Sequence, residues 1–562
     1  MKKYLSLLIA VAMLICAFAG CSAEEGKTTN FTDGYPEGYL RVSMGEDMST
    51  ADVQMTTGDY LIPLNIYDTL VECGYDDAGN AIIAPSLAKA WDVTEDGLTY
   101  TFYLREGVKF CNGEEFTSDD VLYTVYRMMD PERSCVNDDV YDMIIGAAEY
   151  LDGTVDTIEG LVAVDDYTVT MTLKQAYAPF LANLAVPGGA MYNRKAGDEA
   201  DAAGGSKTET LFGSVPEYTI GSGPFMLKEW QINDHIVLEK NPNYWKDLDP
   251  EYAKTSAVEG IVFKIVSDSA TLKMMFDNGE FDVFDLDDAR ETIADYEANE
   301  LTKDQTYHAK RVGTYYYCLN ENVPGLDNVL VRKAIQRAID RQSLLDNLYY
   351  GTGVVANSIM SPGLVGFNQE CEEIPYDLEA AKAFMEEAGY GPDNHLALKI
   401  GQSSDASAAT LNINEAVQQM LKEIYIDAEI EQIDDATWSS VRAAGDIEMY
   451  ETSWSADFND PDNFIYTFFS PSNVKSRGFN YKNEDVINRV EAARYMADPE
   501  ARLAEYQELE RIIVVEDAAW VPLFHMDHVF VMNPRVDRDT FNPYWAGWSS
   551  MCFYGLTFRA EA

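Results

Sequence analysis

The segment SWSADFNDPDNF, residues 453–464, holds the chain's clearest candidate chemistry. Asp457 stands three residues after Trp454 and three before Asp460-Pro461, among Trp454, Ala456, Phe458 and Phe464. No Lys or Arg occurs between 453 and 474 to neutralise it. A buried unpaired carboxylate costs several kcal/mol, so Asp457 is exposed, is paired from elsewhere in the fold, or is paired by a ligand. Asp457 and Asp460 also have the residue types of a glycosidase acid and base. With 95 acidic residues in the chain, however, the proximity of two Asp decides nothing.

Other catalytic constellations are absent from the sequence. It contains no G-x-S-x-G elbow, no H-E-x-x-H and no Walker loop. GSGPF (221–225) lacks the Lys and the helix start of a phosphate loop and is expected to be a tight entry into a strand. Among five His, only His525 and His528 are close, in LFHMDHVF. On a strand they would face opposite sides, a poor arrangement for a shared metal. No cofactor, metal or catalytic activity is expected.

These residues sit in an alternation of strands and helices. YLRVSM begins as a strand, and Leu61–Leu70 is expected to be helical. TYTFYL (99–104) alternates as a half-buried strand, and Thr117 caps a helix with Val121, Val125 and Met128 on one face. GLVAVDDYTVTMTL (160–173) predicts a hairpin turning at Asp165-Asp166, and 219–245 predicts two strands around a polar turn. KRVGTYYYCLN (310–320) is a strand, followed by a helix pair over 327–351 that ends at Gly351. Two further helices, the strand DAEIEQI and a long helix over 499–518 come next, before an extended C-terminal region punctuated by Pro522, Pro534 and Pro543. Such alternation indicates α/β architecture with mixed sheets.

The N-terminus places the protein outside the cytoplasm. Lys2 and Lys3 precede an apolar run from Tyr4 to Phe18 that ends in Ala19-Gly20-Cys21. That is a secretory signal, too short for a comfortable membrane span. Cys21 after Ala-Gly resembles a bacterial lipobox, with Phe18 where such signals usually carry Leu. Residues 1–20 would be the signal, Cys21 the lipidated first residue, and 21–38 a polar, Gly-containing tether. The remaining chain of about 520 residues is long enough for more than one core. Apolar residues at 47% and aromatics at 12% exclude disorder. The net charge of −54 argues against nucleic acid and against adsorption to anionic lipid. Six scattered Cys follow Cys21 without a CxxC pair, and whether any form long-range disulfides is left open.

Taken in order, APSLAKAWDVTEDGLTYTFYLREGVKFCNGEEFTSDDV, GSGPFMLKEWQINDHIVLEKNPNYW, VRKAIQRAIDRQSLL, YDLEAAKAFMEEAGY, WSADFNDPDNF and EDAAWVPLF resemble the extracellular solute-binding proteins of ABC transporters. The resemblance is to family 5, the large dipeptide- and oligopeptide-binding class, and spans roughly 39–525. It implies an α/β, two-lobed, periplasmic-binding-protein-like fold of type II that closes on ligand by hinging. Lobe I would comprise 39–74, 215–311 and 521–562, with an extra subdomain inserted at 75–214, and lobe II would comprise 312–520.

In peptide-binding members the Asp of W-x-x-D accepts the ligand's α-ammonium, a role that falls here on Asp457. Trp438 matches an aromatic of a side-chain pocket, and Trp454 is the Trp of the motif. The main chain at Ser453, Trp454 and Ser455, and at Met55, Thr56 and Thr57, would pair with the peptide as added strands. Dipeptide-selective relatives carry an Arg for the ligand carboxylate in a region corresponding to 399–416, where this chain has none, so longer peptides are expected. Tyr425 stands where relatives usually have Gly.

The resemblance therefore implies a monomeric, lipid-anchored, extracytoplasmic receptor. It would deliver oligopeptides to the permease subunits of an ABC importer and have no dealings with nucleic acid. Within the family, oligosaccharide and chelated-nickel binding are rivals, as is a peptide-sensing role. A surface hydrolase lies outside it.

Overall fold

The computed structural model describes residues 36–76, 81–250, 258–541 and 551–559. The expected signal and Cys21 lie outside these residues. β1 (Tyr39–Met44) opens the fold and buries Leu40 and Val42. β2 (Val71–Tyr75) and β3 (Ala81–Pro85) form a hairpin. β4 (Ala88–Val93), β5 (Thr99–Leu104), β6 (Leu161–Asp165) and β7 (Thr168–Thr172) form a separate antiparallel sheet in the order β4-β5-β7-β6. The TYTFYL run is β5, with Tyr100, Phe102 and Leu104 inward, and the expected hairpin joins β6 to β7. The helix Ser118–Met128 starts at Thr117, whose N–H donates to Asp120 Oδ2 at 3.0 Å, and packs Val121, Val125 and Met128 into the core of this sheet.

The other strands are β8 (Phe225–Gln231), β9 (His235–Lys240), β10 (Gly260–Ile265), β11 (Val283–Asp285), β12 (Thr306–Leu319), β13 (Val354–Val355), β14 (Leu396–Ser403), β15 (Ile426–Ile433), β16 (Met449–Ser455) and β17 (Trp520–Met532). With β1 they make one eleven-stranded sheet in the order β15-β14-β16-β12-β17-β11-β1-β10-β9-β8, and β13 pairs β17 off this path. β12 and β17, 14 and 13 residues long, run through both halves of the sheet. Their antiparallel register breaks between Lys310 and Thr314, and again between Tyr315 and Tyr316, where Pro522 lies opposite Tyr316. A proline has no N–H to give a ladder, so a bulge there is expected. Gly313 lies within the first break, where a Cβ would stand 2.9 Å from the Trp454 carbonyl oxygen.

Separate cores flank the crossing strands. Toward β1, Leu40, Val42, Ile261 and Phe263 pack with Phe530 and Met532. Toward β16 there is a core on each sheet face. One holds Tyr316, Phe468, Phe479 and Trp520, with Tyr316 stacked on Trp520 at 3.6 Å, and the other holds Tyr317, Leu319, Val331, Ile335 and Val417.

Two sequence expectations are corrected. Leu61–Leu70 contains only one helical turn, Pro63–Ile66, because Tyr67 is already extended. The helix over 499–518 is α-helical only to Arg511 and continues as a π turn, Ile512–Glu516, before Ala518 enters the left-handed region at φ +49°. Tyr425 has a backbone reason to be compared with Gly. Its φ is +65°, a conformation glycine adopts freely, and its ring lies 5.8 Å from His395. Cys111, Cys135, Cys318, Cys371 and Cys552 are free thiols. Among the described residues no helix is long and apolar enough to cross a membrane.

Candidate functional site

Residues 453–464 begin in β16 and end in the helix Asp462–Phe469, and their polar side chains have separate tasks. Asn459 Oδ1 accepts the Val365 N–H at 2.7 Å. Asp460 is held in a bidentate ion pair by Arg502, at 2.6 and 2.8 Å, with both side chains buried. This excludes Asp460 as the acid or base partner of Asp457, because its charge is already committed. Asp462 accepts the Tyr506 hydroxyl at 2.9 Å and faces Arg494 at 3.4 Å.

Asn463 organises the rest. Its Oδ1 accepts the indole N–H of Trp454 at 3.1 Å and the backbone N–H of Asp457 at 3.0 Å, and its Nδ2 donates to Asp457 Oδ2 at 3.1 Å. Asp457 therefore has a fixed position but no ion pair among the described residues. Its side chain is open to solvent while protein atoms crowd it on several sides. That desolvation raises its pKa above the usual 3.8, opposed by the Asn463 hydrogen bond and by the charge of Arg477. An exposed acid in bulk water would show no such effect.

The aromatic residues form the wall beside it. Trp454 packs edge-on to Phe468 at 5.4 Å, and the Arg477 guanidinium lies 4.8 Å over the Trp454 ring. Trp438, on the helix Asp435–Ala444, is half-buried and meets Tyr450 edge-on at 5.6 Å. Trp438 and Trp454 thus share one wall, and each also packs on the core behind it. Ser453 is exposed and Ser455 half-buried. β16 pairs with β12 as far as Ser455, but with β14 only at Met449 and Tyr450. Beyond Tyr450 the β14-side edge of β16 is unclaimed by any described strand, so it is open to an added one.

Met55, Thr56 and Thr57 lie in a loop pinned by Asn137, whose Nδ2 donates to the carbonyls of Val53 at 2.6 Å and Thr56 at 2.9 Å. The Thr56 carbonyl also accepts the Tyr60 hydroxyl at 3.3 Å, so it is already engaged. Thr57 is exposed. Tyr60 and Asp139 lie within electrostatic reach of Asp457, which brings this loop to the same site as β16. Burial pushes the Tyr60 hydroxyl up to about 12, so it serves as a neutral donor.

The two close His serve different partners. His525 is buried against Thr314 Oγ1 at 2.8 Å, and its pKa is pushed down to about 3, chiefly by burial. His528 meets Asp285 at 2.8 Å. Asp285, Asp287 and His528 are near enough together to share a cation, but Arg290 and Arg311 already pair with Asp287. This cluster braces β17 against β11 as an ion-pair network.

Sequence reasoning missed Asn463 and Arg477. Arg477 falls three residues past the window searched for a counter-charge, and the helix Asn473–Ser476 folds it back over Trp454. The signal for Asn463 was its place six residues after Asp457 at a helix start, where an amide can reach back.

Known proteins resemble this chain along nearly its whole length. Heme-binding protein A of Haemophilus influenzae is 27% identical over 99% of each chain. Di/tripeptide-binding protein 2 of Pseudomonas aeruginosa is 28% identical, covering 92% of this chain and 93% of its own. The solved periplasmic binding protein DppA of Helicobacter pylori, in complex with the peptide STSA, superposes with a TM-score of 0.68 at 27% identity, over 93% of this chain and 98% of that one. The mixed α/β fold with an extra antiparallel subdomain is thus that of the two-lobed periplasmic peptide-binding proteins. Residues 83–476 match the profile of the bacterial extracellular solute-binding proteins, family 5, and the chain belongs to that family of non-catalytic receptors for ABC importers.

Proposed function

We propose that the protein captures oligopeptides through their free amino end, which Asp457 receives, and passes them to an ABC permease. One observation carries this reading. In a motif where Asp460 and Asp462 each have an ion-pair partner, Asp457 alone is positioned and crowded by protein yet makes no ion pair among the described residues, with Arg477 acting on it only from beyond contact. A ligand ammonium supplies the missing charge, and charge-assisted hydrogen bonds in a closing cleft are stronger than neutral ones. The open edge of β16 at Ser453–Ser455 supports main-chain pairing that reads no side chains. Trp438 and Trp454 would line a side-chain pocket, with Met55, Thr56 and Thr57 opposite. A relative named for heme is as similar as those named for peptides, so relatedness alone does not select the ligand.

The lobes, 39–74, 215–311 and 521–562 against 312–520, with 75–214 inserted in the first, would hinge where β12 and β17 lose register near Lys310–Thr314. Cys21 would carry the lipid anchor at the extracytoplasmic membrane face. The test is native mass spectrometry of residues 22–562 purified without denaturation. A ladder of peptide masses is the expected result. A single heme, sugar or metal-chelate mass overturns the peptide assignment.

A further inference from the structure

Among the described residues every buried carboxylate but one has its partner inside the fold. Asp52, Asp282, Glu321, Asp460 and Asp462 face arginines, and Asp130 faces Lys207. Asp120 and Glu510 each accept two backbone N–H groups, and Asp68 accepts the Ser222 hydroxyl and the Trp245 indole N–H. The exception is Glu451, in β16. It is 6% exposed, and its Oε1 has no donor among the described residues. Burial pushes its pKa up to about 7, opposed only by the Thr410 hydroxyl, and no cation among the described residues acts on it.

The neighbours of Glu451 are aromatic. It lies opposite Tyr317 in the ladder with β12, and Ser453, on the same face of the sheet, lies opposite Tyr315. The Tyr315 ring stands 5.5 Å from that of Tyr349 and is stacked on Phe524 at 5.1 Å. The Glu451 charge acts on Tyr315, Tyr317 and Tyr349, yet none of their hydroxyls donates to it, and that of Tyr317 is given to Asn414 at 2.6 Å. Arg290 and Arg311, which act on these rings, pair instead with Asp287. Glu451 also stands where the free edge of β16 begins, because pairing with β14 stops at Tyr450, and Ser453 beyond it is exposed. A carboxylate among aromatic rings, beside a free strand edge, suits an ammonium or a guanidinium. The net charge of −54 favours the approach of such groups.

We propose that Glu451 is the floor of a subsite for a cationic side chain of the ligand, of the lysine or arginine class, carried a few residues after its amino end. This rests on the amino-end reading of Asp457 and deepens it, since the ligand then carries two cations, one toward each end of the free edge of β16. Six positions separate the two acids, at most about 20 Å of extended chain, which with the reach of a long side chain places the second cation on the second to fourth ligand residue. In the empty site Glu451 takes up a proton near neutrality, so its burial costs little. An arriving cation pairs with the carboxylate, and the proton leaves to solvent.

The test is calorimetric titration of residues 22–562, stripped of co-purified ligand, with alanine tetrapeptides carrying lysine or norleucine at the second, third or fourth position. Norleucine keeps the aliphatic chain and lacks the ammonium. The expected result is roughly ten- to hundredfold tighter binding of the lysine member at one of these positions. E451Q, which keeps an acceptor for Thr410 and removes the charge, should bring the two members to equal affinity, and a thermal melt checks its fold. A second readout needs no variant. At about pH 7 the wild type should release a fraction of a proton on binding the lysine probe that it does not release on binding norleucine, measured in two buffers of different ionisation enthalpy.

Equal affinity for lysine and norleucine at every position overturns the subsite and leaves the amino-end reading standing. An undiminished lysine preference in E451Q overturns it as well, because the cation is then read elsewhere. If none of the tetrapeptides binds, the peptide reading falls and the subsite with it. Acetylated probes test Asp457 separately. If they bind as well as free ones the amino-end reading falls, and a surviving lysine preference that E451Q removes still supports Glu451.

Discussion

Replacing Asp457 with Asn is the most informative single change, because the surrounding geometry limits what else it can disturb. Asn463 Nδ2 donates to Asp457 Oδ2 at 3.1 Å, and an Asn oxygen can accept the same bond. The backbone N–H of residue 457 keeps its bond to Asn463 Oδ1, and Trp454 keeps both its acceptors on Asn463. The variant should therefore fold normally and lose only a negative charge. A hydrogen bond to a charged group is worth about 1.5–3 kcal/mol, equivalent to a roughly ten- to hundredfold weaker Kd for a free-amine peptide.

N-acetylation of the peptide removes the same interaction from the other side. A cycle over D457N and acetylation, read by calorimetry, should give a coupling energy of about 1.5–3 kcal/mol. The pH dependence is a second readout. Because burial raises the Asp457 pKa above 3.8, wild-type affinity should fall as pH drops through that raised value, and D457N should show no such fall. A coupling energy near zero, with both single changes leaving Kd unmoved, would refute the assignment.

Arg502→Met should destabilise the fold by about 3–5 kcal/mol, because it leaves Asp460 buried without the guanidinium that now holds it in two bonds. Chemical denaturation measures this, and a loss under 1 kcal/mol contradicts the structural role given to Asp460. Stability should also rise as the medium is acidified from about pH 8 to about pH 5. Burial pushes Glu321, Glu451 and Glu510 up to about 7, and Asp68, Asp120 and Asp462 up to about 6. The folded chain then holds more protons than the unfolded one across that window, so the contribution is present at low pH and lost as pH rises through 6 and 7. A Tm that climbs toward pH 8 refutes it. Cys21→Ala should move the protein from the membrane fraction to the soluble one, and persistence with membranes contradicts the lipobox.

Local pattern carried much of the fold. Alternation alone located β5, β6, β7 and β12, and a capping residue located the start of the helix Ser118–Met128. It failed where tertiary context decided. Leu61–Leu70 has helical composition, yet Pro63 begins a turn that Tyr67 ends, and Ile66 is buried where Gly221 and Gly223 pass against its carbonyl. A cavity-free contact of that kind leaves no periodicity to detect. The sheet order was likewise invisible, because β1 lies beside β10 and β11 rather than beside its sequence neighbours.

The site was legible in its question more than in its parts. Counting charges over 453–474 drew attention to Asp457, but the sequence could not distinguish it from Asp460 three residues later. What separates them is Arg502, which comes from 42 positions away. An unmet charge at a binding site is thus defined by what the rest of the chain does not supply.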